Sequence, residues 1–263
     1  MDVYSFLEAV RQKSPVVHHL TNWVTIYDCA QVVKSFGASP VMAHAAEEVA
    51  DMTGLASALV LNIGTLTTDF IESMKIAARA ANSRDIPVVL DVCGAGATPF
   101  RDKKCLELLD DAHISIIKGN SSEIARIAGL DVCTRGVDTG HVGSDLKGIA
   151  AELAALRQCT VVITGKEDIV ADAHRTYIVR NGVDMMSHVV GTGCMAASVI
   201  GTFVGATPDD ITSAAAAGLC CFEIASELAV KKSRGPASFK QYLLDYCFTL
   251  TKDDIVSMQK VGQ

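Results

Sequence analysis

Ala58-Leu59-Val60-Leu61-Asn62-Ile63-Gly64-Thr65-Leu66 is the stretch that decides the fold. Its apolar run is short, rich in branched side chains and stopped by Gly64. A strand with one wet face would alternate apolar and polar residues. A near-continuous run is what a strand buried on both faces of a parallel sheet requires. Three more runs share the character: Pro87 to Asp91 (PVVLD) ending before Gly94, Ile114 to Ile117 (ISII) ending at Lys118-Gly119-Asn120, and Thr160 to Thr164 (TVVIT) ending at Gly165. Helical patterns lie between them. Thr68 to Ser83 sets Ile71, Met74, Ala77 and Ala78 at helical spacing, with Thr67 or Thr68 as N-cap. Ser144 to Arg157 sets Ile149, Leu153 and Leu156 on one stripe. Strands alternating with helices predict an α/β layered fold with a mainly parallel central sheet and right-handed crossovers.

After Thr164 the texture changes. Asp168 to Ala171 and Arg175 to Val179 read as β-like runs, the second as an edge or antiparallel strand. Gly193 to Gly205, Asp209 to Lys232 and Ala237 to Leu250 read as helices, and Ala214 to Ala217 in the middle one require close packing. Val189 to Pro208 contains no charged residue, which raises a membrane span. Its glycines, Pro208 and the following Asp209-Asp210 fit a loop and a buried helix better. Met1 to Lys13 mixes charges with single apolar residues, so it reads as an amphipathic helix rather than a signal peptide. No linker composition splits the chain, so residues 1–263 are expected to form a single domain.

Apolar residues are 49% and charged residues 20%, proportions that support a packed core over disorder. The net charge of -7, without a basic stripe, argues against nucleic acid as a partner. The nine cysteines are odd in number and form no CxxC pair. They read as reduced thiols in a core, with a cytoplasmic location expected, rather than as a disulfide framework or a zinc site.

Ligands of parallel α/β sheets gather outside the carboxyl ends of the strands. The candidates are therefore Asn62 to Thr65, Asp91 to Thr98, Lys118 to Glu123 and Thr164 to Lys166. Gly191-Thr192-Gly193-Cys194 opens the uncharged helix, where free N–H groups and the helix dipole favour an anion. A phosphoryl group in transfer is such an anion. The same residues also fit a plain helix-opening turn. Cys194 at a first helical turn would have a lowered pKa and could accept a proton, or it could merely shape the pocket. Asn120 and Glu123 could serve Mg²⁺ with oxygen donors, or form an N-cap and its capping-box partner. Asp91 has two analogous readings, water-mediated Mg²⁺ binding or a loop brace. Gly94 to Thr98 is an incomplete dinucleotide loop, because Pro99 breaks the fingerprint. His18, His19 and His44 flank loops without metal-ligand spacing and read as pocket or surface groups. Met42 reads as a pocket wall or a core residue.

Seven segments together resemble the hydroxyethylthiazole kinases. They are Leu20 to Thr25 (LTNWVT), Gly37 to Ala43 (GASPVMA), Ala58 to Leu66 (ALVLNIGTL), Asp91 to Thr98 (DVCGAGAT), Gly119 to Ile124 (GNSSEI), Val190 to Met195 (VGTGCM) and Gly235 to Phe239 (GPASF). The resemblance implies a ribokinase-like three-layer α/β/α fold. It implies ATP-dependent phosphorylation of the hydroxyethyl alcohol of 4-methyl-5-(2-hydroxyethyl)thiazole, a thiamine salvage step, in a homotrimer with active sites at subunit interfaces. By motif it places Met42 and Gly191 on the thiazole, with Asn22, Gly64 and Thr65 completing that pocket. It places Lys118, Thr164 and Gly193 on ATP, Asp91 and Glu123 on Mg²⁺, and Cys194 where most ribokinase-like kinases carry a catalytic Asp. Three positions depart from the family pattern: Lys118 stands for Arg, Val92 for Pro and Asp28 for Asn. The alternatives are a kinase of another small alcohol, hydroxymethylpyrimidine or a sugar, or a non-catalytic thiazole-binding protein.

Overall fold

The computed structural model describes residues 1–130 and 145–263. Its strands are β1 (Val16–Leu20), β2 (Ser39–Val41), β3 (Ala58–Asn62), β4 (Val88–Asp91), β5 (Ile116–Asn120), β6 (Thr160–Thr164), β7 (Asp168–Ala171), β8 (Thr176–Val179) and β9 (Val261–Gly262). They form one sheet in the order β2-β1-β3-β4-β5-β6-β7-β8-β9. Every pairing from β2 to β6 is parallel, and β7, β8 and β9 add on antiparallel. The helices in chain order are α1 (Val3–Lys13), α2 (Ile26–Ser35), α3 (Val49–Thr53), α4 (Thr68–Asn82), α5 (Pro99–Asp111), α6 (Ser121–Ile127), α7 (Leu146–Arg157), α8 (Thr192–Ala206), α9 (Ile211–Val230), α10 (Pro236–Thr249) and α11 (Lys252–Met258).

The alternation of side chains along each strand divides the apolar residues into two cores. Ala58 and Val60 of β3 face one core, built with α1, α2, α8, α9, α10 and α11. Leu59 and Leu61 face the other, built with α3 to α7. β4, β6 and β8 divide in the same way, with Val89, Val162, Tyr177 and Val179 on the first side and Leu90, Val161 and Ile178 on the second. Helices therefore cover both faces, which is why the strands carry nearly unbroken apolar runs. In the first core Phe36 and Phe203 meet edge to face at 5.5 Å, and each such buried ring stabilises by roughly 1.5–3 kcal/mol. α8 lies directly on β3 because Gly201 carries no Cβ to strike Val60. The segment Pro208–Val230 is long and apolar enough to cross a membrane by composition, but 83% of its apolar window is buried inside the protein. Ala214 to Ala217 are fully buried there.

Several expectations shift. β1, β2 and β9 have no counterpart among the sequence-derived strands. β1 was hidden because His18 and His19 interrupt its apolar pattern. Both histidines are buried strand residues, not loop groups. His18 pairs with Thr53 Oγ1 at 2.9 Å and the Ala43 carbonyl at 2.7 Å. His19 Nδ1 meets the Val17 carbonyl at 3.1 Å, and burial holds its pKa down at about 4, so it is neutral. His44 is exposed and sits edge-on to Trp23 at 4.9 Å. β5 begins and ends later than the run Ile114 to Ile117, because Lys118, Gly119 and Asn120 pair with Val162, Ile163 and Thr164. β8 is antiparallel, starts at Thr176 and lies inside the sheet, between β7 and β9. Ser144, the expected helix start, lies outside the described residues; α7 is capped by Asp145.

Candidate active site

The carboxyl ends of β1, β3, β4, β5 and β6 open on one cavity of about 390 Å3, closed on its far side by the start of α8. Asn22, Gly64, Thr65, Asp91, Lys118, Glu123, Thr164, Gly191, Gly193 and Cys194 all line it. Met42 is not among the lining residues. Cys93 and Asn120 of the strand-end segments line it too, and the structure adds Val24, Thr25 and Val190. Position just past a strand end was the signal for Cys93 and Asn120; Val24, Thr25 and Val190 carry no chemical signature. A wider cleft of about 580 Å3 opens among Ser115, Gln158, Thr160 and His174, at the strands' amino ends. That end of a parallel sheet is not where ligands gather, and its Asp172 is engaged by Arg175 and Thr212.

At the cavity floor Lys118 Nζ meets Asp91 Oδ1 at 3.3 Å, with both side chains buried. Burial lifts the Asp91 pKa above the carboxylate range, and Lys118 pulls it part of the way back. Burial also disfavours the Lys118 charge, but Asp91 and Glu123 outweigh it and the ammonium is held. Glu123 closes the capping box of α6: its Oε2 accepts from Asn120 N at 2.7 Å, and Asn120 Oδ1 accepts from Glu123 N at 2.9 Å. Glu123 Oε1 accepts from Gly94 N at 2.7 Å. The capping role is thus realised, and the carboxylate still faces the cavity. Its pKa is raised first by burial and then by the charge of Asp91. Two buried carboxylates, Asp91 raising Glu123, form a donor set that a hard divalent cation would relieve. Thr98 caps α5 with Pro99 at its first position, so Gly94 to Thr98 forms no dinucleotide loop.

α8 starts at Thr192 behind Gly191, whose φ of 93° is left-handed. The first α-helical bond runs from Met195 N to Gly191 O at 2.8 Å. The N–H groups of Thr192, Gly193 and Cys194 are left outside that ladder. Lys118 Nζ sits beside Gly193, 3.4 Å from where a Cβ would stand. An ammonium and a helix N-terminus therefore converge on one spot, a strong anion site. Cys194 Sγ accepts from Asn22 Nδ2 and Asn62 Nδ2, each at 3.3 Å. Its pKa is lowered to about 7, first by the neighbouring Cys93 thiol, with Lys118 assisting, against burial and the charge of Asp91.

A family model described as the hydroxyethylthiazole kinase family matches residues 7–253. The chain belongs to the hydroxyethylthiazole kinase family. The hydroxyethylthiazole kinase of Methanosarcina mazei is 52% identical over 257 residues, 98% of each chain. The solved structure of a hydroxyethylthiazole kinase protein from Pyrococcus horikoshii matches with a TM-score of 0.90 at 36% identity, over 99% of this chain and 98% of that one. A ribokinase-like superfamily protein from Enterococcus faecalis matches with a TM-score of 0.63 at 14% identity, over 94% of this chain and 89% of that one, and shares the fold. Against the hydroxyethylthiazole kinase pattern the three departures acquire local reasons. Val92 N donates to the Lys118 carbonyl at 2.9 Å, a bond proline cannot make. The Asp28 carboxylate pairs with Lys240 at 2.7 Å, joining α2 to α10 away from the cavity. Lys118 fits its buried berth against Asp91 as a compact point charge.

Proposed function

We propose that this protein transfers the γ-phosphoryl group of ATP to the hydroxyethyl alcohol of 4-methyl-5-(2-hydroxyethyl)thiazole. One observation carries the reading: the α8 N-terminus, Lys118 and the Cys194 sulfur converge on one cavity beside two buried carboxylates. The 52% identity to a hydroxyethylthiazole kinase over 98% of the chain supports the choice of alcohol.

Phosphoryl transfer asks for positioning and charge neutralisation more than for covalent chemistry. Lys118 neutralises phosphate, with Thr164 and Gly193 beside it on the ATP side. The N–H groups at the start of α8 stabilise the equatorial oxygens of the group in flight. Asn22, Gly64, Thr65 and Gly191 form the wall against the thiazole. Cys194, partly thiolate, accepts the alcohol proton late in the transfer, when the loose transition state releases it. Asp91 and Glu123 would hold Mg²⁺, directly or through water, and the ion would supply charge to the phosphate oxygens.

We take residues 1–263 as one catalytic domain, a reading supported by the continuous sheet. We take the working form as a homotrimer with interfacial sites. Trp23, Val24, Tyr27 and Val190 are exposed apolar residues, and Val24 and Val190 line the cavity. Met42 stands off the cavity of its own chain, and a neighbouring subunit could supply it. Mass photometry reads this directly, as a trimer mass or a monomer mass. The free thiols fit a cytoplasmic location.

ADP release from Mg-ATP should require the thiazole alcohol and be absent with hydroxymethylpyrimidine or ribose. Cys194→Ala should lose most of it and Cys194→Asp should retain part. Binding of the thiazole without ADP would overturn the kinase reading.

A further inference from the structure

Two asparagine side chains, 172 and 132 residues away from Cys194 along the chain, aim at its sulfur. The orientation of an amide side chain is set by what its two ends meet. Asn22 Oδ1 receives the backbone N–H groups of Val24 and Thr25, each at 3.1 Å. Backbone N–H groups only donate, so that end is the oxygen and the NH2 end faces Cys194. Asn62 Oδ1 receives the Gly64 N–H at 2.9 Å and one Asn22 N–H at 3.1 Å. Its NH2 end lies 2.7 Å from Asp91 Oδ2 and 3.3 Å from Cys194 Sγ. Rotated by half a turn, Asn62 would set an oxygen against a carboxylate and lose the bond from Gly64. The donors close without remainder. Asn22 gives one N–H to Asn62 and one to Cys194; Asn62 gives one to Asp91 and one to Cys194.

We infer that Asn62 is a positioning residue for phosphoryl transfer: it fixes Cys194 Sγ as a hydrogen-bond acceptor and couples it to the Asp91 carboxylate. This deepens the kinase reading and rests on it. A sulfur that accepts two amide N–H groups is stabilised as thiolate, since hydrogen bonds to the charged form favour it. Neither amide gives up a proton to it, so the sulfur is held as an acceptor towards the cavity, where the alcohol would lie. Asn62 joins the residue proposed to take the proton to one proposed to hold the metal. Loss of Asn62 therefore disturbs Cys194 through a named bond rather than through general loosening.

The test is the midpoint against pH of Cys194 alkylation by iodoacetamide, read as mass added to the peptide that carries it, in Asn62→Leu and Asn62→Ala. A hydrogen bond to a charged group corresponds to about a tenfold change in equilibrium or more. The midpoint of Cys194 alkylation against pH should rise by about one unit in Asn62→Leu. Asn62→Ala, which removes both N–H groups without adding a charge, should shift similarly and covers the case in which the leucine variant does not fold. Thermal unfolding identifies the folded variants. A midpoint unmoved from wild type in a folded variant overturns the inference and leaves the kinase reading intact. Absence of ADP formation with any alcohol overturns the kinase reading and leaves the alkylation result standing.

Discussion

Replacing Gly191 by alanine tests the geometry that sets the start of α8. Two penalties follow from the structure. The φ of 93° puts an alanine in the left-handed region, which costs roughly 1–2 kcal/mol. The added Cβ would fall inside van der Waals contact with Thr25 Cγ2 and 3.0 Å from Thr25 Cβ, and overpacking of that kind costs about 1–3 kcal/mol. Gly191→Ala should therefore destabilise by about 2–5 kcal/mol. At roughly 2–4 °C per kcal/mol for a chain of this size, the loss would be visible in a melting curve. The two parts separate because serine lacks Cγ2. Thr25→Ser removes the struck methyl and keeps the hydroxyl that donates to Asn22 Oδ1 at 3.1 Å. It relieves the nearer contact and leaves the Thr25 Cβ contact and the backbone strain untouched. In urea denaturation of both single variants and the double, the double should be more stable than the sum of the singles by about 1–3 kcal/mol. Additivity within about 0.5 kcal/mol would refute the claim that Thr25 is what forbids a side chain at position 191.

Three further outcomes follow. Cys93→Val removes the thiol that does most to lower the Cys194 pKa, so the midpoint of Cys194 alkylation against pH should rise from about 7; an unmoved midpoint contradicts that cause. Lys118→Met leaves Asp91 buried without its counter-charge, a loss of about 3–5 kcal/mol. Because the folded pKa of Asp91 lies above its unfolded value, stability falls as pH rises, so urea midpoints of this variant should be closer to wild type at about pH 5 than at pH 8. Glu223, buried on α9 beside Asp168, has its pKa pushed well up, first by burial and then by the Asp168 charge. Its contribution is present below the unfolded carboxylate pKa and lost as pH climbs toward the folded one; Glu223→Gln should flatten that decline in urea midpoints across pH 5–8, and an unchanged slope would contradict a raised Glu223 pKa.

Local chemistry made much of this protein legible in one dimension. A strand buried on both faces must be apolar at every position, so β3, β4 and β6 could be read from composition alone. Glycines and polar residues just past those strands could be named as a site because parallel strands all end on the same side of a sheet. The capping box of Asn120 and Glu123 was readable too, since it is a contact between near neighbours. Other features depended on distant partners. β1 could not be read because two histidines in its centre look polar until Thr53 and Ala43 arrive to pair one of them in the core. The short strands β2 and β9 exist only through their neighbours. The apolar helix α9 resembles a membrane span by composition, and only packing shows that its partner is protein. The chemical state of Cys194 was the least accessible. Its sequence position gave the helix start, whereas its hydrogen bonds come from Asn22 just past β1 and Asn62 at the end of β3, whose order in the sheet is set by the cooperative burial of the whole chain.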